Sequence, residues 1–93
     1  MERSIVGARR RWPPWWEWEL ELTPHLLKRM LDRRFSEVEL REMLEGAEGY
    51  RADIVEGRFV IDTRHRKKRW EVIVEPDSVA KRLVVVTAYP LGR

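Results

Sequence analysis

The chain has no cysteine among its 93 residues, which excludes disulfides and thiolate metal ligands. It has no apolar run approaching the roughly 20 residues that cross a bilayer. Three consecutive arginines, Arg9 to Arg11, are not followed by an apolar signal core. A soluble, cytoplasmic protein with no membrane partner is therefore expected. Also missing are a His-Glu-x-x-His pair, a Cys/His ligand spacing and a glycine-rich phosphate loop. No metal and no cofactor are expected. Ser4, Ser36 and Ser78 fall in a tail, a helix cap and a turn, which leaves no place for a serine nucleophile with its base. Histidine is scarce: His25 and His65 are the only two. Any acid–base chemistry near neutral pH rests on them.

What the chain does have is charge. The net value of +3 is small, but its placement is uneven. Arg64, Arg66, Lys67, Lys68 and Arg69 crowd six positions around His65. Such a cluster attracts nucleic acid or an acidic protein, although a charge run also serves simply as a solvated loop. A chain of this length is one domain with a modest core, which a tightly bound partner would stabilise further.

The apolar pattern gives the organisation. Residues 1–14 lack periodicity and close on Pro13-Pro14, which reads as a basic flexible arm ahead of a single domain over 15–93. From Trp16, strict alternation sets Trp16, Trp18, Leu20 and Leu22 against Glu17, Glu19 and Glu21, the pattern of a half-buried strand. Trp12 and Trp15 pin the arm to the core, or stack on a base or a partner. Thr23 caps a helix with Pro24 at its first position and an apolar stripe of Leu26, Leu27, Met30 and Leu31. Ser36 and Glu39 form a capping box for a second helix that buries Leu40, Met43, Leu44 and Ala47. A meander follows. Segments 50–55 and 58–63 flank a turn at Glu56-Gly57, 64–69 is a basic loop, 69–75 is a strand broken at Pro76-Asp77-Ser78, and 82–89 is a Val-rich central strand. The expected fold class is α+β: an N-terminal strand, a two-helix hairpin, then a three- to four-stranded antiparallel sheet.

Within the first helix, His25, Arg29 and Arg33 recur every four residues, so three nitrogen-bearing side chains line one side. A cation row headed by an imidazole suits phosphate recognition and proton transfer on a phosphodiester. Alternatively His25 only closes the helix start, and Arg29 only pairs with Asp32. By alternation Thr87 and Tyr89 share a sheet face with Leu83 and Val85.

His25, Arg29, Met30 and Arg33, with the run Val84-Val85-Val86-Thr87-Ala88-Tyr89, resemble a family of small bacterial domains of unknown function. Its members carry a Thr/Ser-x-His-x-x-x-Arg-Met-x-x-Arg helix and end in a Val-Val-Thr-x-Tyr strand. Trp70 to Glu75 is similar to that family's penultimate strand, and the likeness spans roughly residues 18 to 90. Two departures are Arg34-Phe35, where the family commonly has a glycine between the helices, and the tryptophan-rich lead-in. The family is grouped with the barnase–EndoU–colicin–RelE fold, which includes the RelE- and ParE-like toxins.

That resemblance implies a toxin-like, metal-independent RNA endonuclease held inactive by an acidic antitoxin protein, with ribosome-bound mRNA among its candidate substrates. The alternative is a non-catalytic RNA- or protein-binding module on the same fold. For cleavage, His25 and His65 are the acid–base candidates, Arg29 stabilises phosphorane charge, and Thr87 hydrogen-bonds the phosphate. Arg33, Arg34, Arg64, Arg66, Arg69 and Tyr89 are the expected RNA contacts. A homodimer is left open.

Overall fold

A computed structural model describes residues 12–92. Its elements are a short 3₁₀ helix (Pro14–Glu17), β1 (Glu19–Leu22), α1 (Pro24–Arg33), α2 (Glu37–Glu45), β2 (Gly49–Ala52), β3 (Phe59–His65), β4 (Lys68–Asp77) and β5 (Arg82–Pro90). The α+β class holds. The five strands form one mixed sheet in the order β1-β5-β4-β3-β2, with β1 parallel to β5 and every other pair antiparallel.

The N-terminal strand is shorter than its alternation suggests. Pro14 fixes the dihedral of a first helical position, and the N–H groups of Trp16 and Trp18 bond the carbonyls of Pro13 and Trp15 at 3.0 and 3.1 Å. Trp16 therefore lies in a 3₁₀ turn, and pairing begins only at Glu19. Of the expected arm, residues 1–11 lie outside the described part. Trp12 is packed: its ring stacks on Trp16 at 4.3 Å and meets Tyr50 at 5.1 Å, while Trp15 meets Phe59 at 4.9 Å. Aromatic pairs at these separations are core contacts, and these indoles join the core cluster.

Both helices begin as their residues dictate. Thr23 Oγ1 accepts the Leu26 N–H at 3.0 Å. Ser36 and Glu39 complete a reciprocal capping box. The two helices then part: α1 packs on β5 and α2 on β3. Leu26, Leu40, Met43, Ile61, Val72, Val74, Leu83 and Val85 fill the space between helices and sheet. The stripe on α1 is narrower than expected. Leu27 and Leu31 are 47% and 81% exposed. Because α1 runs along one strand at the side of the sheet, only Leu26 and Met30 reach inward.

Two turns also differ from expectation. β4 continues through Pro76 to Asp77, and the break comes at 78–81, where Asp77 Oδ1 accepts the N–H groups of Val79 and Ala80 at 3.1 Å each. The basic segment 64–69 is a hairpin rather than a loop. Arg64 and His65 end β3, Lys68 and Arg69 begin β4, and Arg66-Lys67 is the two-residue connection. Both connecting residues are left-handed, with φ of 54° and 66°. A two-residue hairpin whose twist matches its strands demands that conformation.

Candidate nucleic-acid interface

The clamp between α1 and β5 organises the first group of residues. The Thr23 hydroxyl lies 3.2 Å from the Val85 carbonyl and 3.0 Å from that of Val86, and the Thr23 N–H reaches Val85 at 3.4 Å. At the other end of the helix, Arg33 Nη1 donates to the Ala88 carbonyl at 3.3 Å. The His25–Arg29–Arg33 row is thereby fastened at both ends to the strand that carries Thr87. His25 is exposed and makes no polar side-chain contact among the described residues. Arg29 pairs with Asp32 at 3.2 Å, both partly exposed. Such a helical pair contributes only about 0.2–0.5 kcal/mol, so a phosphate displaces it readily.

Thr87 stands on the other side of the sheet from where alternation assigns it. Ile73 pairs with Thr87 and Val74 with Val85, leaving Val86 as an extra residue in β5. A bulge of this kind shifts the phase of everything after it. Leu83, Val85 and Ala88 are buried, while Thr87 and Tyr89 lie on the face away from the helices. The Val86 carbonyl that follows from the bulge is the one facing Thr23. The first turn of α1 and the backbone of Thr87 therefore share one seam, although no hydrogen bond joins His25, Arg29 and Thr87.

His65 belongs elsewhere. In β3 it alternates with Ile61 and Thr63, both buried, so it turns inward under α2 rather than toward His25. Its ring meets the edge of Trp70 at 5.5 Å. Its side chain is 10% exposed, with Nε2 3.8 Å from Glu39 Oε2. It does not pair with His25, which sits at the opposite end of α1 from the hairpin.

The cations around it gather at one end of the domain. Phe35, directly after Arg33 and Arg34, packs on Trp70 at 5.2 Å, and the Leu91 N–H bonds the Arg69 carbonyl at 2.8 Å. Arg33 and Arg34 thus lie at the same end of the domain as the Arg66-Lys67 hairpin. Four of the expected RNA contacts are already occupied: Arg33 and Tyr89 by Ala88 and Glu71, Arg64 by Glu48 at 3.3 Å and Arg66 by Glu39 at 2.9 Å. Lys67, Lys68, Arg69 and Arg34 are exposed and unpaired among the described residues. The Ser36 N–H first, and Arg66 next, hold the Glu39 carboxyl below the usual carboxylate range.

Sequence reasoning missed a chain of side chains on the open sheet face. The Tyr89 hydroxyl donates to Glu71 Oε1 at 2.7 Å, Arg51 bonds Glu71 Oε2 at 2.8 Å, and Arg51 bonds Asp62 at 2.6 Å. These partners lie 11 to 20 residues apart, so no local spacing announces them. Burial first and Glu71 second push the Tyr89 phenol up to about 12. The neutral phenol is the form the fold favours. Its stabilisation is present below the ordinary value of 10.0 and is lost as pH rises through about 12. Ultraviolet titration should show one tyrosine ionising late, and Tyr89→Phe should remove that transition. If the late transition persists in Tyr89→Phe, the Tyr89–Glu71 contact is not its cause.

A groove of about 300 Å³ lies apart from these residues, lined by Trp16, Trp18, Leu20, Arg41, Leu44 and Leu83 among others. Among the described residues no helix is long and apolar enough to cross a membrane.

One mixed sheet with both helices on one face, and cations gathered at a helix–strand seam and a hairpin end, define a small basic α+β domain. Residues 22–90 match the model of a domain of unknown function, DUF4258, and the chain belongs to that family. No curated protein and no solved structure matches it.

Proposed function

We propose that this domain is a toxin-like, metal-independent RNA endonuclease on a RelE/ParE-type fold, restrained in the cell by an acidic antitoxin protein. The observation that carries this reading is the clamp of Thr23 onto Val85 and Val86, which fastens the His25–Arg29–Arg33 row to the sheet. In this reading, His25 moves a proton between the 2′-hydroxyl, solvent and the leaving 5′-oxygen. Arg29, released from Asp32, places its planar fork on the phosphorane oxygens. Thr87, on the sheet face opposite α1, takes no part in this step. The exposed cations at the hairpin end hold the RNA backbone, and an acidic antitoxin competes for the same charges. His65 has no part in the chemistry.

A non-catalytic RNA-binding module is the second reading. It is favoured by the absence of any contact joining His25, Arg29 and Thr87. RNA cleavage in the presence of chelator separates the two. The first reading requires products with 2′,3′-cyclic phosphate and 5′-hydroxyl ends, and intact RNA bound by folded protein supports the second. Both require a steep fall of affinity with salt. The triple variant Lys67→Ala, Lys68→Ala, Arg69→Ala should lower the log–log salt slope by about 2 for single-stranded RNA. An unchanged slope would show that the hairpin end does not touch phosphates.

A further inference from the structure

The capping box of α2 contains more than a cap requires. One carboxylate, that of Glu39, is approached by three groups from two parts of the chain, the start of α2 and the β3–β4 hairpin. The Ser36 N–H donates to Oε1 at 2.8 Å, Arg66 Nη2 donates to Oε2 at 2.9 Å, and His65 Nε2 stands 3.8 Å from that same Oε2. A backbone N–H at a helix N-terminus, a guanidinium and an imidazole form the donor set that proteins turn on phosphate. Helix α2 has nine residues, so its N-terminal partial charge is developed.

The second observation concerns His65. Its side chain is nine-tenths buried, and Nε2 has no hydrogen-bond partner. A buried polar nitrogen is ordinarily satisfied. This one points at the Glu39 carboxylate from just beyond bonding distance. A larger anion at the same place would reach it.

We infer that the N-terminus of α2 is a binding site for the terminal phosphate monoester of an RNA strand, occupied in the free protein by the carboxylate of Glu39. The inference rests on the RNA reading for its ligand, though not for its geometry. Charge selects the monoester. Glu39 carries one negative charge, so a phosphodiester with one charge exchanges like for like. A monoester carries −1.5 to −2 near neutral pH and offers three terminal oxygens. Those oxygens match the Ser36 N–H, Arg66 and Nε2 of His65 as donors. The exchange is open to Glu39 because its side chain is 29% exposed and can swing into solvent. The charges acting on Glu39 are Arg66 and His65; on the same hairpin, Lys68 pairs with His65 and Lys67 is in the turn. Both favour an anion. The covering carboxylate would keep the site from binding weaker anions in the absence of RNA.

The test uses the full chain and 2′-O-methyl RNA oligomers, which cannot be cleaved by their own 2′-oxygen. Four forms are compared by fluorescence anisotropy: 5′-phosphate, 3′-phosphate, both ends hydroxyl, and the hydroxyl form with added inorganic phosphate as competitor. One of the terminal phosphates should tighten binding by about tenfold over the hydroxyl form, which also assigns the end that is read. Glu39→Gln keeps an acceptor for Ser36 and removes the competing charge, so it should enlarge that advantage. Arg66→Ala should abolish it. Imidazole nitrogen spectra supply an independent readout: inorganic phosphate should shift the His65 signals, identified by their persistence in His25→Ala. Equal affinity for all oligomers, with His65 signals indifferent to phosphate, would overturn the site and leave the RNA reading standing. Failure of every oligomer to bind, with His65 still responding to phosphate, would sink the RNA reading and sustain the site.

Discussion

Replacing His25 by alanine should lower RNA cleavage by roughly 10²–10⁴-fold, the usual contribution of a general acid or base. The fold should survive, because His25 is exposed and touches no polar partner among the described residues. His25→Gln keeps hydrogen bonding but shuttles no proton, so it should be nearly as inactive. Arg29→Lys keeps charge but loses the bidentate fork, and should be clearly impaired. Thr87→Val, which removes a hydroxyl on the opposite face of the sheet, should leave cleavage unchanged. The measurement is single-turnover cleavage of RNA against a substrate with 2′-deoxyribose at the cut site. Cleavage of the deoxy substrate would refute the mechanism, because it has no internal nucleophile. An active His25→Ala enzyme would remove His25 from the chemistry.

The largest effect on stability should come from Trp70. It is 6% exposed and lies between the ring of Phe35 at 5.2 Å and that of His65 at 5.5 Å. Trp70→Ala should cost about 3–5 kcal/mol, combining lost transfer energy with the cavity left behind. For a domain of this size that is a large share of total stability. Urea unfolding should register the cost as a lower midpoint at nearly constant slope. Trp70→Phe should recover part of it. RNA affinity should fall as well, even under conditions where the variant is folded, because Trp70 joins the helix turn holding Arg34 to the hairpin holding Lys67 and Lys68. A loss below about 1 kcal/mol would mean that the basic end is not built on this residue.

Local chemistry was readable from the sequence, and long-range geometry was not. The start of α2 follows from Ser36 and Glu39, and its buried side from Leu40, Met43 and Leu44, because capping and helical periodicity act within a few residues. The antiparallel meander follows from alternation and turn residues for the same reason. Parallel pairing of β1 with β5 joins residues more than 60 positions apart, and no local pattern encodes it. The bulge at Val86 escapes notice because four aliphatic residues in a row, Leu83 to Val86, look alike on either side of a phase change. That one residue decides the face on which Thr87 stands. The hairpin at Arg66-Lys67 was disguised by its composition, since the residues expected in such a turn are Asn and Gly. Among its basic neighbours His65 looks like a loop residue, whereas the strand alternation that follows from the hairpin turns it inward.

Among the described residues, four other than glycine have positive φ: Arg34, Arg66, Lys67 and Lys81. All four are cations, and three of them belong to the basic end. A side chain in the left-handed region costs roughly 1–2 kcal/mol, and glycine would relieve it. Arg34 also occupies the C-cap of α1. The domain therefore holds unspent thermal stability at its most charged corner. Selection for robustness alone would drive those turns toward glycine and strip the corner of its charge, so the corner's charge is kept against stability.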